Sequence, residues 1–201
     1  MVVSHLILAA GWIIYCAVHS ILAATSVKQY PHKWMGNHSK FYRLYYSIIS
    51  FVGLIALLYL LISVSSPKIF IPTKASEIIG IGLSTIGAII MIVCILKYFF
   101  QLSGLKSLVS ERAADELMIT GIHKYVRHPL YLGTFIFIWG LWIIFPFLSL
   151  FITNLIITVY TLIGIGFEEK KLEREFGEPY KQYKENTPML IPNFKKLKVI
   201  G

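Results

Sequence analysis

The chain has 201 residues, of which 56% are hydrophobic and 14% charged, and its mean hydropathy of +0.69 is well above that of a soluble domain. Both of its cysteines, Cys16 and Cys94, lie inside apolar stretches, which excludes a disulfide framework and a zinc site. The net charge of +9 is explained by basic loops at an anionic membrane surface, so no nucleic-acid partner is expected.

Four blocks of the chain carry no Lys, Arg, Asp or Glu: Leu6–Thr25, Leu44–Val64, Ile78–Leu96 and Leu130–Phe167. About 20 apolar residues cross the bilayer core, so each of the first three blocks predicts one span. The fourth block has 38 residues, enough for two short spans joined near Pro146. We therefore predict an all-α, polytopic integral membrane protein with about five transmembrane helices, the last two forming a hairpin, in a single membrane domain over residues 1–201.

Lysine and arginine are distributed unevenly between the two sides of these spans. They cluster between spans one and two, between spans three and four, and after Phe167, whereas only Lys68 and Lys74 fall on the opposite side. The positive-inside rule then predicts an N-terminus outside, a cytoplasmic C-terminus, and the lipid bilayer as a partner.

The segment Arg127-His128-Pro129-Leu130-Tyr131 opens the longest apolar block. Pro129 suits the first position of a helix, where its missing N–H costs nothing. The fourth span is therefore predicted to begin there, with the positive end of its dipole beside Arg127. A helix N-terminus and an arginine together form an anion site, suited to a carboxylate or phosphate. An arginine that only reaches lipid headgroups is the alternative interpretation.

Glu168 and Glu169 close the same block, at a helix end where cations are normally favoured. The positive charges of the following residues Lys170, Lys171 and Arg174 would be enough to balance these two carboxylates. A tight hairpin would also bring Glu168 close to Arg127 and His128. That arrangement offers an acidic group for an ammonium and a basic group for a carboxylate, as in an amino-acid moiety.

Beyond the last span, four apolar residues recur at helical spacing: Leu172, Phe176, Tyr180 and Tyr183. Gly177 and Pro179 interrupt them, which predicts two short cytoplasmic helices that lie on the membrane surface or pack into the core. Pro188 and Pro192 then predict an irregular return over the same cleft.

The order of these motifs resembles the isoprenylcysteine carboxyl methyltransferase and phospholipid methyltransferase superfamily. The residues that carry the resemblance are Gly121, Arg127 through Gly133, Glu168 through Leu172, Phe176-Gly177, Tyr180, Tyr183, Pro188 and Ile191-Pro192. It covers about residues 100–194, with residues 1–99 as the N-terminal helices. The resemblance implies an S-adenosylmethionine-dependent membrane enzyme that acts on a lipophilic or small thiol, carboxylate or amine acceptor.

The family's cofactor contacts, carried over by position and joined by Arg127 from the anion-site argument, are Asp115, Glu116, Leu117, Met118, His123, His128, Pro129, Leu130, Tyr131 and Glu168. Two departures stand out. His123 replaces a tyrosine that is usual in the prenylcysteine enzymes, and Gly164 stands where those enzymes carry a substrate-binding arginine. A prenylcysteine carboxylate is therefore a less favoured acceptor. No catalytic residue and no metal ligand is assigned.

The N-terminal half resembles the branch that contains methanethiol S-methyltransferase and NnrU-type proteins. This resemblance rests on His19-Ser20, on Phe41 through Tyr46, and on Gly104-Leu105-Lys106. His19 inside a span, Arg43 and Glu169 are the candidate acceptor-site residues. A helix-packing histidine and an interfacial anchor are the alternative interpretations of His19 and Arg43.

Two other classes of function compete with the methyltransferase. A membrane NADPH-dependent reductase of the sterol-reductase type shares a similar Arg-His-Pro region and hairpin, but is generally a longer chain with more spans. In a non-enzymatic membrane scaffold, the polar clusters would only anchor helix ends. Oligomeric state and the identity of the acceptor stay open at this point.

Overall fold

In the computed structural model, residues 1–23, 42–102 and 117–192 are described. They contain six α-helices: α1 (Val2–Ala23), α2 (Tyr42–Ser63), α3 (Lys74–Leu102), α4 (Pro129–Ile144), α5 (Leu148–Phe176) and α6 (Glu178–Asn186). These residues form no strand, and one isolated bridge joins Lys68 to Phe147. The predicted all-α class is thus confirmed across the described ranges.

Among the described helices, four are long and apolar enough to cross a membrane: α1, Leu44–Ser63 within α2, Lys74–Lys97 within α3, and α5. The remaining apolar helix, α4, has 16 residues and is about 24 Å long, shorter than a bilayer core of about 30 Å. A polytopic membrane protein is therefore supported, and α4 as a fifth span stays a prediction.

The predicted break near Pro146 is confirmed, because α4 ends at Ile144 and α5 begins at Leu148. Pro146 has no N–H to continue a helix. Its carbonyl accepts a hydrogen bond from the Ile69 backbone at 2.7 Å, and the Leu148 N–H donates to the Pro67 carbonyl at 3.0 Å. Backbone groups that the break releases are thus paired with the segment after α2.

The chain divides into two compact units. The described residues of the first unit are 1–23, 42–72, 98–102 and 145–157. Its core is formed by Leu8, Trp12 and Leu57, with partly buried side chains of α1, α2 and α5 around them. Outward-facing apolar side chains such as Ile62, which is 84% exposed, give this unit the surface expected of a protein that faces lipid.

The second unit contains the described residues 73–97, 117–144 and 158–192. Its helices α3 and α4 approach each other closely at glycines. A Cβ added at Gly87 would lie 2.5 Å from the Phe137 nitrogen and 2.7 Å from the Gly133 oxygen, and one added at Gly140 would lie 2.7 Å from the Ser84 nitrogen. Small residues that let backbones meet are the usual means of packing membrane helices.

Helices α4 and α5 form the predicted hairpin, joined in the second unit by a hydrogen bond from Trp139 Nε1 to Thr158 Oγ1 at 3.1 Å. The last span differs from prediction at its far end. Helix α5 continues beyond Glu169 to Phe176 as one element, where a separate short helix was predicted. Gly177, with φ of 60°, ends it as predicted, and α6 follows with Pro179 in its first turn.

Candidate cofactor-binding site

The site begins with a sharp turn at Gly121 that leads from residue 117 towards α4. Gly121 has φ of 65°, and a Cβ there would lie 2.5 Å from the Lys97 Nζ atom. The left-handed backbone favours glycine at this position, whereas the Lys97 side chain could move aside for a Cβ. A short 3-10 helix, Gly121–Lys124, begins at this residue.

Helix α4 begins at Pro129, as predicted, and the His128 carbonyl accepts its first helical hydrogen bond from Leu132 at 3.0 Å. Pro129 and His128 are both buried. The first turn of a helix leaves backbone N–H groups without helical partners and carries a partial positive charge. An anionic or polar ligand group is favoured at such an end.

The C-terminal return closes over this helix start through backbone hydrogen bonds. The Arg127 N–H donates to the Pro188 carbonyl at 2.9 Å, and the His128 N–H donates to the Met189 carbonyl at 3.1 Å. Tyr183 on α6 adds a hydrogen bond from its hydroxyl to the His123 carbonyl at 2.7 Å. The irregular return predicted from the prolines therefore lies against the Arg127–Tyr131 segment.

Arg127 is held by a carboxylate and two carbonyl groups. Its Nε and Nη2 atoms each lie 2.8 Å from Glu169 Oε1, and its Nη1 donates to the carbonyls of Lys184, at 2.9 Å, and Thr187. Its side chain is 9% exposed. These four contacts join α5 and the end of α6 to the start of α4, so the guanidinium stiffens the site.

Glu169 is the buried acidic centre of this arrangement. Its Oε1 atom also accepts from His128 Nε2 at 3.2 Å, and its Oε2 atom lies 3.2 Å from Lys184 Nζ. Because a carboxylate only accepts, His128 carries its proton on Nε2. The pKa of Lys184 is raised above its usual range. The larger cause is the Glu173 carboxylate, 2.7 Å from Lys184 Nζ, and Glu169 raises the pKa further. Lys184 therefore stays cationic and balances both acids.

Glu168 has a different environment from its neighbour. Its side chain is 44% exposed, and its Oε2 atom accepts a hydrogen bond from the Tyr131 hydroxyl at 3.0 Å. The His128 Nδ1 atom is 3.9 Å away, too far for a hydrogen bond. The Tyr131 and His128 rings stack at 5.6 Å, which fixes the phenol in place. The predicted proximity of Glu168 to His128 is thus present, whereas the partner of Arg127 is Glu169.

His123 contacts the site through one ring nitrogen, Nδ1, which is 3.1 Å from the Arg127 carbonyl. Burial lowers the pKa of His123 below its usual range, and the nearby charges of His128 and Lys97 lower it further, against an opposing effect of the Arg127 carbonyl. The neutral ring is therefore favoured, and its Nδ1 carries the hydrogen that the carbonyl accepts.

Tyr180 lies on α6, where its ring contacts that of Tyr183, and it was not predicted as a site residue from the sequence. Its side chain is 1% exposed, and no described residue offers its hydroxyl a hydrogen-bond partner. Burial, together with the charge of Glu169, raises the pKa of Tyr180 to about 12. Its place in the apolar stripe from Leu172 to Tyr183 was the available signal, but the stripe was interpreted as a membrane-surface or core-packing face.

The other predicted residues are distributed as follows. Leu117 and Met118 are half-buried just before the Gly121 turn. In the first unit, His19 Nε2 pairs with the Tyr46 hydroxyl at 2.7 Å and His19 Nδ1 with Ser50 Oγ at 3.1 Å, as a helix-packing histidine does. The remaining predicted contacts lie outside the described structure: Asp115, Glu116 and the side chain of Arg43.

The described residues contain no group of three or more His, Cys, Asp or Glu side chains that could hold a metal ion. The site instead offers one half-exposed carboxylate, a helix N-terminus, an oriented phenol at Tyr131 and a buried unpartnered hydroxyl at Tyr180. Such a set suits a small ligand that carries an ammonium, a carboxylate and hydroxyl groups.

Comparisons with known proteins identify relatives of the chain. It is 37% identical to methanethiol S-methyltransferase 1 of Bradyrhizobium diazoefficiens over 46% of this chain and 34% of that protein. It is 27% identical to methanethiol S-methyltransferase of Pseudomonas deceptionensis over 91% of this chain and 71% of that protein. Protein-S-isoprenylcysteine O-methyltransferase of Schizosaccharomyces pombe is 38% identical over 41% of this chain and 36% of that protein.

The chain thus spans about a third of the length of two of these relatives. No solved structure matches it. A family model described as phospholipid methyltransferase matches residues 77–179, which is 103 of the 201 residues and includes the Arg127–Tyr131 segment and both glutamates. The chain therefore belongs to the phospholipid methyltransferase family.

Proposed function

We propose that this protein is an integral membrane methyltransferase that uses S-adenosylmethionine as its methyl donor. The observation that carries the proposal is the polar site at the start of α4, inside the part of the chain that the family model matches. There an exposed carboxylate, Glu168, stands beside a buried ion pair at the end of otherwise apolar helices. When bound, the cofactor supplies an electrophilic methyl group.

Glu168 is the residue that we assign to the cofactor's ammonium or to a ribose hydroxyl, since its carboxylate is 44% exposed and already oriented by Tyr131. The first turn of α4, from Pro129 to Tyr131, offers the partial positive charge for a carboxylate. Arg127 and Glu169 act as positioning residues, because their charged groups contact each other and the C-terminal return. His123 also acts as a positioning residue, because its Nδ1 bonds the Arg127 carbonyl.

Asp115, Glu116, Leu117 and Met118 complete the proposed cofactor contacts on the strength of the family resemblance. Asp115 and Glu116 lie outside the described residues. The proposal also includes five spans with α4 as the fourth, an N-terminus outside, and a cytoplasmic site. The excess of lysine and arginine in the segments on that side supports this orientation.

A thiol is the acceptor that we favour. Two of the relatives described above are named methanethiol S-methyltransferases, and one of them aligns with 91% of this chain. In the reaction the acceptor sulfur attacks the methyl carbon in line with the breaking sulfonium C–S bond, a new C–S bond forms, and S-adenosylhomocysteine leaves. The thiol proton passes to a base that we leave unassigned. Alignment and exclusion of water are the main demands of such a displacement.

A carboxylate acceptor is the second candidate, because one relative is named a protein-S-isoprenylcysteine O-methyltransferase. Residues Leu130–Phe167 contain no Lys or Arg, so no side chain within this stretch supplies the cation that would hold a carboxylate. That composition favours the thiol. His19 and Arg43 stay candidate acceptor-site residues.

Ligand binding tests the donor assignment. S-adenosylhomocysteine is expected to bind the purified protein and raise its unfolding temperature, whereas NADPH is expected to do neither. Glu168→Ala should abolish binding, and Glu175→Ala, an exposed acid on the same helix, should leave it unchanged. Stabilisation by NADPH alone would support a reductase, and a response to neither ligand would support a scaffold.

Methyl transfer tests the acceptor. The protein in native lipid is supplied with S-adenosylmethionine labelled in its methyl group, with and without methanethiol, and the label is followed into volatile and lipid fractions. Label in a volatile thioether that depends on added thiol supports the proposal. Label that enters lipid regardless of added thiol contradicts the thiol assignment but not the donor.

A further inference from the structure

Tyr180 presents a buried hydroxyl that no described part of the fold uses. Its side chain is 1% exposed, and its oxygen has no hydrogen-bond partner among the described residues. Burying a hydroxyl without a partner is unfavourable, and phenylalanine would fill the same volume without that cost. A tyrosine at this position is therefore explained better by a partner that binds than by packing.

Tyr183 on the same helix shows the contrast. Its ring contacts that of Tyr180 with centroids 6.0 Å apart, yet its hydroxyl donates to the His123 carbonyl at 2.7 Å. The two tyrosines have the same chemistry and neighbouring places, and one of them has a structural hydrogen bond. Of these two tyrosines, Tyr180 is therefore the one whose oxygen has no partner among the described residues.

The surroundings of Tyr180 are those of the proposed cofactor site. Its ring contacts that of Tyr183, and Arg127 donates to the carbonyl of Lys184 on the same helix. Burial raises the pKa of the Tyr180 hydroxyl to about 12. At neutral pH the phenol is therefore an intact O–H donor. It is also one residue beyond the range 77–179 that the family model matches.

We propose that the Tyr180 hydroxyl donates a hydrogen bond to an oxygen or nitrogen of the bound cofactor, and that it is a binding residue rather than a packing residue. The inference rests on the proposed function, since it takes S-adenosylmethionine as the ligand. Helix α6 then has two duties. Tyr183 binds the His123 carbonyl in the 3-10 helix Gly121–Lys124, and Tyr180 contacts the cofactor.

Paired variants of the full chain test this assignment by two measurements besides turnover. Tyr180→Phe is expected to weaken S-adenosylhomocysteine binding about five- to tenfold in calorimetry, the usual effect of one lost hydrogen bond. Without ligand, the same variant should unfold at the same temperature as the wild type or at a higher one. Tyr183→Phe, the matched control, should lower the ligand-free unfolding temperature because it loses the bond to His123.

Wild-type affinity in Tyr180→Phe would overturn the inference while leaving the proposed function intact. A lower ligand-free unfolding temperature in Tyr180→Phe would also overturn it, since the hydroxyl would then have a structural partner such as water. If the wild-type protein itself does not bind S-adenosylhomocysteine, the proposed function fails and this inference fails with it.

Discussion

Replacing Glu169 by alanine should destabilise the protein strongly, whereas the same change at Glu168 should not. The Glu169 carboxylate is 8% exposed and contacts Arg127, His128 and Lys184. Its removal leaves two Arg127 nitrogens, Nε and Nη2, without their anion in a side chain that is 9% exposed. The two neighbouring glutamates therefore differ in what they support.

The magnitude follows from what each variant leaves unpaired. Breaking a buried ion pair by removing one partner costs about 3–5 kcal/mol. Arg127 keeps its two carbonyl contacts and Lys184 keeps Glu173, so we expect the lower end, about 3 kcal/mol, or about 150-fold in the unfolding equilibrium. Glu168→Ala loses one hydrogen bond from a 44% exposed group, which costs less than about 1 kcal/mol.

Equilibrium unfolding in mixed detergent micelles, followed by the fluorescence of the four tryptophans, measures both changes. S-adenosylhomocysteine binding by the folded fraction is measured in parallel. Glu169→Ala should shift unfolding much further than Glu168→Ala, and Glu168→Ala should be the variant that folds but does not bind. Equal unfolding shifts in the two variants, or a larger one for Glu168→Ala, would refute the division of roles.

Two further predictions concern packing and pH. Gly87→Ala should destabilise by about 2 kcal/mol, because the new methyl group meets the backbone of α4, whereas Gly82→Ala, with open space around it, should be nearly neutral in the same unfolding assay. Stability should fall as pH drops below about 6.5, because the lowered pKa of His123 means that the folded state binds its proton more weakly than the unfolded state. Full stability is present above that pH and is lost on acidification through the folded-state pKa. Unfolding titrations between pH 8 and pH 5 should show a shallower decline in His123→Asn, and an identical decline would contradict the role of His123.

The spans were predictable because the bilayer imposes a simple rule on sequence. A helix in hydrocarbon satisfies its own backbone and must avoid charge, so blocks without charged residues mark its position. Pro129 and Pro146 have equally local effects, and the helix start and the helix break were predicted from them and confirmed. The length of α4 is set by those two prolines rather than by bilayer thickness.

The extent of α5 was harder to predict because polarity and helix formation are separate properties. Charge after Phe167 signals the end of an apolar span, but Glu, Lys and Leu are good helix formers, so the helix continues until Gly177. Contacts of Arg127 with the Lys184 and Thr187 carbonyls were also beyond sequence reasoning. Every residue has a backbone carbonyl, so the sequence does not indicate which carbonyls will accept a hydrogen bond from Arg127.

The different fates of Glu168 and Glu169 follow from helix phase, and this signal was present in the sequence. Successive residues of an α-helix point about 100° apart, so two adjacent glutamates cannot face the same way. Residue Ile165, four positions before Glu169, is 1% exposed, and Leu172 and Phe176, three and seven positions after it, are half-buried. Glu169 lies on this apolar face and must pair with buried cations, whereas Glu168 is rotated away from it towards Tyr131 and stays 44% exposed, as its proposed role requires.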